Sequence, residues 1–409
     1  MALATAGQSR DQESIRALHP TILTVDSHVD TPMRMPTYDI GKRHPLGIGM
    51  VDLPRMEDGG LVAAVFAAFL EQGELNDEAR QRAILFGRAK VAEIARQVNA
   101  NPANARLVKS ADDIEAAFRD GKRAVIVGME NGYQIGVDLD NLDRFFDQGV
   151  RILTLTHKSD NDICDSSTDD KHPEDRGLSD FGRRVIERMN RLGMTIDVSH
   201  ASDRTFFDVV RLSRSPIIAS HSSARGVQEH PQNLSDEQLR ALQKNGGVVG
   251  MTFVLPFLKR EVTVANVGRE IQALNDRVMA KGGWPALKPD EAAAFQKDLR
   301  EIKYRYPQAW ASVKNVVDHI DHVVRTIGID HVGIGSDFDG GGYLADCRDV
   351  SEYPSLTAEM VRRGYSEVDI RKIWGGNYLR VLRRVQALAT HAMPAEPRRP
   401  AALYSTAAR

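Results

Sequence analysis

Short apolar runs bounded by turn residues recur along this chain, separated by longer stretches in which apolar positions return every three to four residues. The runs fall at 21–25, 61–69, 123–127, 151–155, 193–198, 216–219, 246–254 and 331–335. Runs of this kind, lacking apolar/polar alternation, are the pattern of strands buried on both faces of a parallel sheet. The stretches at 77–99, 110–120, 139–148, 180–191, 202–211 and 235–244 carry helical periodicity, and several open on Ser or Asp in a capping position. Eight strands alternating with helices over roughly 330 residues predict a (β/α)8 barrel, an α/β fold. The competing arrangement is an open doubly wound sheet. No Gly-x-Gly-x-x-Gly follows the first strand, which weighs against it.

Two segments depart from the alternation. Residues 258–305, after the seventh strand, are long, charged and helical, interrupted at Trp284-Pro285. They read as a helical insertion on the barrel rim, either a lid or contact surface or else a solvated spacer. The end of the chain is rich in Ala, Pro and Arg and is expected to be loosely ordered. The organisation expected is an N-terminal extension at 1–18, one barrel domain at 19–385 and a tail at 386–409, with no internal repeat.

Composition narrows the class. With 42% hydrophobic and 27% charged residues in 409, the chain buries a large core, which excludes disordered, collagen-like and coiled-coil readings. Lys+Arg 54 against Asp+Glu 56 gives a net charge of -2, so nothing electrostatic points to a nucleic-acid or anionic-membrane partner. No apolar run approaches the ~20 residues of a membrane span. Cys164 and Cys347 allow at most one disulfide. The first residues show no basic, apolar leader pattern. A small-residue start followed by a polar stretch also suits a mature end after cleavage, so cytoplasmic and exported locations both stay open.

The residues capable of chemistry cluster where the strands are expected to end, the face on which barrel enzymes build active sites. After the first strand comes Asp26-Ser27-His28-Val29-Asp30. In extended chain, His28 and Asp30 project to one side and can grip one metal ion together. Glu130 follows an apolar strand directly, and a carboxylate buried there is costly unless paired or bound to metal. His157, His200 and His221 each follow an apolar strand, three equivalent positions on one face. Histidine and carboxylate donors suit Zn²⁺, with Mn²⁺ or Fe²⁺ as the other choices. The donor count favours two ions, one held by His28, Asp30 and Glu130, the other by Glu130, His200 and His221. Two ions ~3.5–4 Å apart can share a hydroxide and polarise a carbonyl. The eighth strand ends in Gly335-Ser336-Asp337-Phe338-Asp339-Gly340. Asp337, closest to the strand, is the candidate to carry a proton from attacking water to a leaving amine, with Asp339 as the spare. No Cys–His arrangement, Gly-x-Ser-x-Gly elbow or phosphate loop offers another chemistry.

These residues resemble the membrane (renal) dipeptidase family, peptidase family M19 of the amidohydrolase superfamily. The likeness rests on Asp26–Asp30, Gly128-Met129-Glu130-Asn131-Gly132, Leu155-Thr156-His157, Asp197-Val198-Ser199-His200, Ser220-His221-Ser222-Ser223-Ala224 and the 335–340 segment. Asp349-Val350-Ser351-Glu352-Tyr353-Pro354 and Gly375-Gly376-Asn377-Tyr378 add to it, over about residues 20–385. The resemblance implies zinc-dependent hydrolysis of dipeptides, often with a D-residue tolerated at the C-terminal position, and in some members opening of β-lactams. It implies His28, Asp30 and Glu130 around one zinc and Glu130, His200 and His221 around the other. It gives His157 to the scissile carbonyl and oxyanion and Asp337 to proton transfer, and it implies a homodimer. One position departs: the family commonly has an Arg that binds the substrate carboxylate where this chain has Gln232. A neutral amide lacks both the charge and the bidentate fork. Arg225 is the candidate to replace it. The insertion is longer than in the animal members. A hydrolase acting on another amide, lactam or modified dipeptide is therefore the second reading, and a non-catalytic scaffold the third.

Overall fold

The computed structural model describes residues 17–45, 48–172, 174–260, 265–281 and 287–390. Its strands are β1 Val25–Val29, β2 Ala63–Phe69, β3 Ala105–Val108, β4 Arg123–Glu130, β5 Val150–Thr154, β6 Thr195–Asp197, β7 Ile218–Ser222, β8 Val248–Met251 and β9 Val332–Ile334. All pair in parallel in the order β2-β1-β9-β8-β7-β6-β5-β4, and β2 pairs again with β4, closing eight strands into a barrel. β3 is additional to the eight expected strands. Because β2 takes one edge of β4 along its length, β3 shares the other edge with β5: β3 opposite Arg123–Ile126, β5 opposite Val127–Glu130.

The helices form where caps and apolar stripes agree. Asn76, Ser110, Asp138, Ser179 and Ser202 each accept a backbone N–H of the first turn that follows, and Ser235 forms a reciprocal capping box with Gln238. Helices Leu139–Gln148, Asp180–Leu192 and Asp236–Asn245 end on Gly149, Gly193 and Gly246, whose φ of 111, 72 and 82° only glycine adopts without strain. Each glycine turns the chain straight into the next strand. The apolar core runs from the barrel interior out to the helical layer, from Phe66, Val127 and Met251 to Phe145, Phe206 and Trp374.

The insertion after β8 is two helices, Ala265–Met279 and Pro289–Arg305, with Leu255–Leu258 before them. Trp284 and Pro285, most of the expected N-terminal extension (1–16) and the tail from 391 lie outside the described residues. Cys164 and Cys347 are buried free thiols, so the one disulfide the sequence allowed is not formed. Among the described residues no helix is long and apolar enough to cross a membrane.

Candidate metal centre

The register of the barrel sets the site. Phe69 lies level with Glu130, Glu130 with Thr154, and Thr154 with Asp197, while Asp26 lies opposite Ile334. Side chains at the C-terminal ends of β1, β4, β6, β7 and β9 therefore converge. His28, Glu130 and His221 form one group of mutually close donor atoms. Glu130, His157 and His200 form a second, and His28, Asp30 and Asp337 a third. The structure thus brings together the five residues singled out in the sequence as metal ligands, His157 assigned to the carbonyl and Asp337 assigned to proton transfer.

Glu130 stands at the centre. One carboxylate oxygen, Oε2, lies 3.3 Å from His28 Nε2; the other, Oε1, lies 3.2 Å from His200 Nε2, 3.4 Å from His221 Nε2 and 4.0 Å from His157 Nε2. Asp30 Oδ2 is 3.5 Å from His28 Nε2. Burial disfavours charge on both partners, yet the nearby Glu130 and Asp30 raise His28 well above the usual imidazole range. His28, His200 and His157 hold Glu130 well below the usual carboxylate range against the same burial. Burial, then the charge of Asp30, pushes Asp337 well up. Burial, then His200, pushes His157 down to about 3, so its imidazole is neutral.

Around these groups lies a shell that orients them. Asp197 accepts from Ser199 N–H (3.0 Å), Ser220 N–H (2.8 Å), Ser220 Oγ (2.5 Å) and Thr154 Oγ1 (2.6 Å). Ser220 spends its proton on Asp197, so the 2.9 Å contact of its oxygen with His221 Nδ1 makes that nitrogen the donor. His221 Nε2 is then a bare lone pair aimed at His200 Nε2, 2.9 Å away. Asp26 accepts from His28 N–H, Ser336 N–H and Oγ, and the Tyr353 hydroxyl, tying β1 to β9 beneath Asp337. The sequence motifs contained Asp26, Asp197 and Ser220 without assigning them work. The available signal was a carboxylate interrupting an apolar strand two or three residues before a histidine.

The donor set fits a cation. Two imidazole nitrogens and a carboxylate oxygen converge on one point, and His28 Nε2 and Asp30 Oδ1 are buried with no hydrogen-bond partner. A positive ion beside Asp30 and Asp337 would also cancel their repulsion. Gly340 is required here, because a Cβ on it would overlap the carboxylates of both.

The remaining candidates separate. Asp339 accepts from Thr31 Oγ1 (2.7 Å), Arg34 Nε (2.7 Å) and Met50 N–H (3.0 Å) and anchors the loop after β1, away from the cluster. Gln232 is buried against the cluster, its Nε2 3.3 Å from both His200 Nε2 and the His221 carbonyl. Arg225 does not replace the missing Arg: its guanidinium forks onto Asp203 at 2.8 and 2.7 Å and onto the carbonyls of Asn233 and Pro231. That pair lines a cavity of about 480 Å³ shared with Asp165, Asp169 and Asp175, into which none of the seven clustered side chains opens. Lys158 is exposed.

Comparison with known proteins agrees with this arrangement. A family model described as membrane dipeptidase (peptidase family M19) matches residues 12–396. The chain is 31% identical to dipeptidase tcpJ of Claviceps purpurea, over 94% of this chain and 79% of that protein. It is 30% identical to dipeptidase 3 of Rattus norvegicus, over 95% and 70%. Among solved structures, the probable dipeptidase PvdM from Pseudomonas aeruginosa superposes with a TM-score of 0.78 at 31% identity, over 93% of this chain and 100% of that one. A metallo peptidase from Rhodobacter sphaeroides, solved with a phosphinate mimic of L-Ala-D-Ala, gives 0.71 at 26% identity over 89% and 99%.

Proposed function

The chain belongs to the membrane dipeptidase family, peptidase family M19, and is a metallo-dipeptidase; from that premise we propose that it hydrolyses free dipeptides, L-Xaa-L-Xaa and L-Xaa-D-Xaa, with two Zn²⁺ held by one bridging glutamate. The observation that carries this reading is the division of Glu130, one oxygen toward His28 and the other toward His200 and His221. His28, Asp30 and Glu130 would hold one ion, and Glu130, His200 and His221 the other. When bound, such a pair lowers the pKa of water and polarises an amide carbonyl.

The chain's own residues supply the rest. Asp337 takes the proton of the attacking water and passes it to the leaving amine. His157, neutral and edge-on to Phe69 at 4.7 Å, donates a ring N–H to the oxygen on which charge develops. Gln232 offers its amide to the substrate backbone. Tolerance of a D-residue is supported by the ligand of the Rhodobacter sphaeroides relative. A homodimer, implied by the family resemblance, belongs to the same proposal, and sedimentation velocity tests it.

A second reading, hydrolysis of an amide or lactam without a free carboxylate, is favoured by the neutral Gln232 and by the engagement of Arg225 with Asp203. One panel separates the two: zinc-reconstituted protein with L,L- and L,D-dipeptides and their C-terminal amides, Glu130→Gln as control. Cleavage of free dipeptides that the control loses supports the first reading. Cleavage of the amides at a higher rate supports the second.

A further inference from the structure

The insertion has a part in substrate choice. Helices Ala265–Met279 and Pro289–Arg305 enclose a small apolar core of their own around Leu274, Val278 and Ile302. Where the second helix ends, it is sewn to the loop after β9. The Arg348 guanidinium lies 5.4 Å over the Tyr304 ring, the Trp310 and Tyr343 rings meet edge-on at 5.7 Å, and Ala345 N–H donates to the Ala311 carbonyl at 2.8 Å. That loop carries Gly340 and Gly341, whose backbone lies against the Asp30 and Asp337 carboxylates. Tyr343 stands two residues beyond Gly341, at most about 7 Å of extended chain.

Lys303 projects into this junction. Its Nζ lies 4.1 Å from the centre of the Tyr343 ring and 5.1 Å from that of Trp310. Among the described residues no carboxylate forms an ion pair with it, and the charge that acts on it is another cation, Arg34 from the loop after β1. Asp339 holds Arg34 through Nε, and the Arg34 side chain is 24% exposed. Burial, then Arg34, pushes the Lys303 ammonium down to about 8. Aromatic faces attract a cation without neutralising it. Asp339 already answers the Arg34 charge, whereas Lys303 is left without a carboxylate among the described residues, and an unanswered cation is relieved by an anion.

We propose that Lys303, against Trp310 and Tyr343 on the loop that carries Gly340 and Gly341, forms an anion-recognising subsite that takes a carboxylate of the substrate, the charge that neither Gln232 nor the Asp203-bound Arg225 can match. The proposal rests on the dipeptidase reading.

The test uses the full-length, metal-loaded protein and matched substrates: L-Ala-L-Glu against L-Ala-L-Gln, L-Glu-L-Ala against L-Gln-L-Ala, and L-Ala-L-Ala against its amide. The variants are Lys303→Met, which keeps the apolar stem between Trp310 and Tyr343, and Lys303→Arg, which keeps the charge. The wild type is expected to favour the acidic member of one pair by about tenfold in kcat/KM, the size of one charge-assisted contact. Lys303→Met should lose that preference through a rise in KM for the acidic member, and Lys303→Arg should restore most of it. A preference confined to the free dipeptide over its amide, and lost in Lys303→Met, assigns the anion to the C-terminus. Equal ratios in the wild type and Lys303→Met overturn the proposal while leaving dipeptidase activity standing. If the wild type cleaves nothing, the dipeptidase reading fails separately. Calorimetric titration of the same pairs then decides the subsite, upheld if Lys303→Met loses a preference for the acidic member and overturned if it does not.

Discussion

Two sets of buried polar side chains in this barrel have opposite fates. Asp26 and Asp197 are wholly enclosed, and each accepts four hydrogen bonds from its own chain. His19, at the base of the barrel, is equally complete: Nε2 donates to the Gly59 carbonyl at 2.8 Å and Nδ1 accepts from Thr357 Oγ1 at 2.7 Å. At the mouth, His28 Nε2, Asp30 Oδ1, His157 Nδ1 and His200 Nδ1 have no hydrogen-bond partner. Backbone strain follows the same division. Among the described residues the non-glycine positions with positive φ are Asn131, His200, Asp337 and Asp339, all beyond the C-terminal ends of strands. A buried polar atom without a partner costs about 1–3 kcal/mol, and a residue held in the left-handed region a similar amount. The fold satisfies the first set by itself. It leaves the second set open, and the lone pairs of His28 Nε2 and Asp30 Oδ1 are the kind that a cation satisfies.

The sharpest way to break this comparison is to neutralise its centre. Glu130→Gln leaves the shape of the site but replaces a charge shared between two imidazole groups with an amide whose NH₂ repels a cation. The variant should lose at least one equivalent of metal by inductively coupled plasma mass spectrometry, and turnover should fall to background. Full metal occupancy would show that Glu130 does not bridge. Asp337→Asn asks whether an open carboxylate can act without holding metal: both metals should stay and kcat should drop by ~10²–10⁴, the range of a lost general acid–base group. Activity near that of the wild type would move the proton carrier to another group, and Asp339, locked by Thr31, Arg34 and Met50, is a poor one.

The comparison is sharpened by cutting into the satisfied set. Asp197 fixes Ser220, and Ser220 fixes the tautomer of His221. Asp197→Asn turns one acceptor edge into a donor facing the hydroxyls of Ser220 and Thr154. It should weaken metal binding by ~10–100-fold in a chelator competition, as losses behind metal-bound histidines commonly do. Unchanged affinity would mean that Asp197 serves only to join β5, β6 and β7.

Hydropathy located the strands but cut three of them, β1, β4 and β7, short at the end that matters. The apolar run at 21–25 points to Ile22 and Leu23, but β1 is Val25-Asp26-Ser27-His28-Val29, in which three of five residues are polar. Those polar residues are buried because other strands satisfy them or because they join the cluster. A rule that counts them as loop therefore shifts the strand by four residues. The same effect ended the expected strands at 127 and 219, where β4 continues to Glu130 and β7 to Ser222. β3 escaped because Ala-Arg-Leu-Val is short and its two middle residues are only half-buried on the outside of the barrel. The clustered residues were legible because each sits beside a strand in a motif. Lys303 was not: within a charged helix, no spacing distinguishes a lysine facing aromatic rings from one facing water.

The smallest expected effect tests the satisfied histidine at the base. Burial, partly offset by the Gly59 carbonyl, lowers the pKa of His19 below its unfolded value of 6.5. As pH falls below 6.5 the unfolded chain therefore takes up a proton that the native chain refuses. The stability His19 contributes is complete above 6.5 and is lost as pH drops toward the folded pKa, with a limiting slope of about 1.4 kcal/mol per pH unit. Protonation turns His19 Nδ1 from acceptor into donor, so the Thr357 hydroxyl, which already accepts from Trp374 Nε1 at 2.8 Å, must turn its own proton away from the ring and gives up the bond it donated. His19→Gln removes the titrating group. Urea midpoints at pH 7.5 and 5.5 should show the wild type losing more stability over that interval than the variant, although the variant starts lower at pH 7.5 by about 1–3 kcal/mol for the bonds it gives up. Because the metal-ligand cluster is identical in both proteins, its own titration cancels in the difference. Parallel lines would mean that the base accommodates a charged histidine, and the contrast between a closed base and an open mouth would then hold for carboxylates alone.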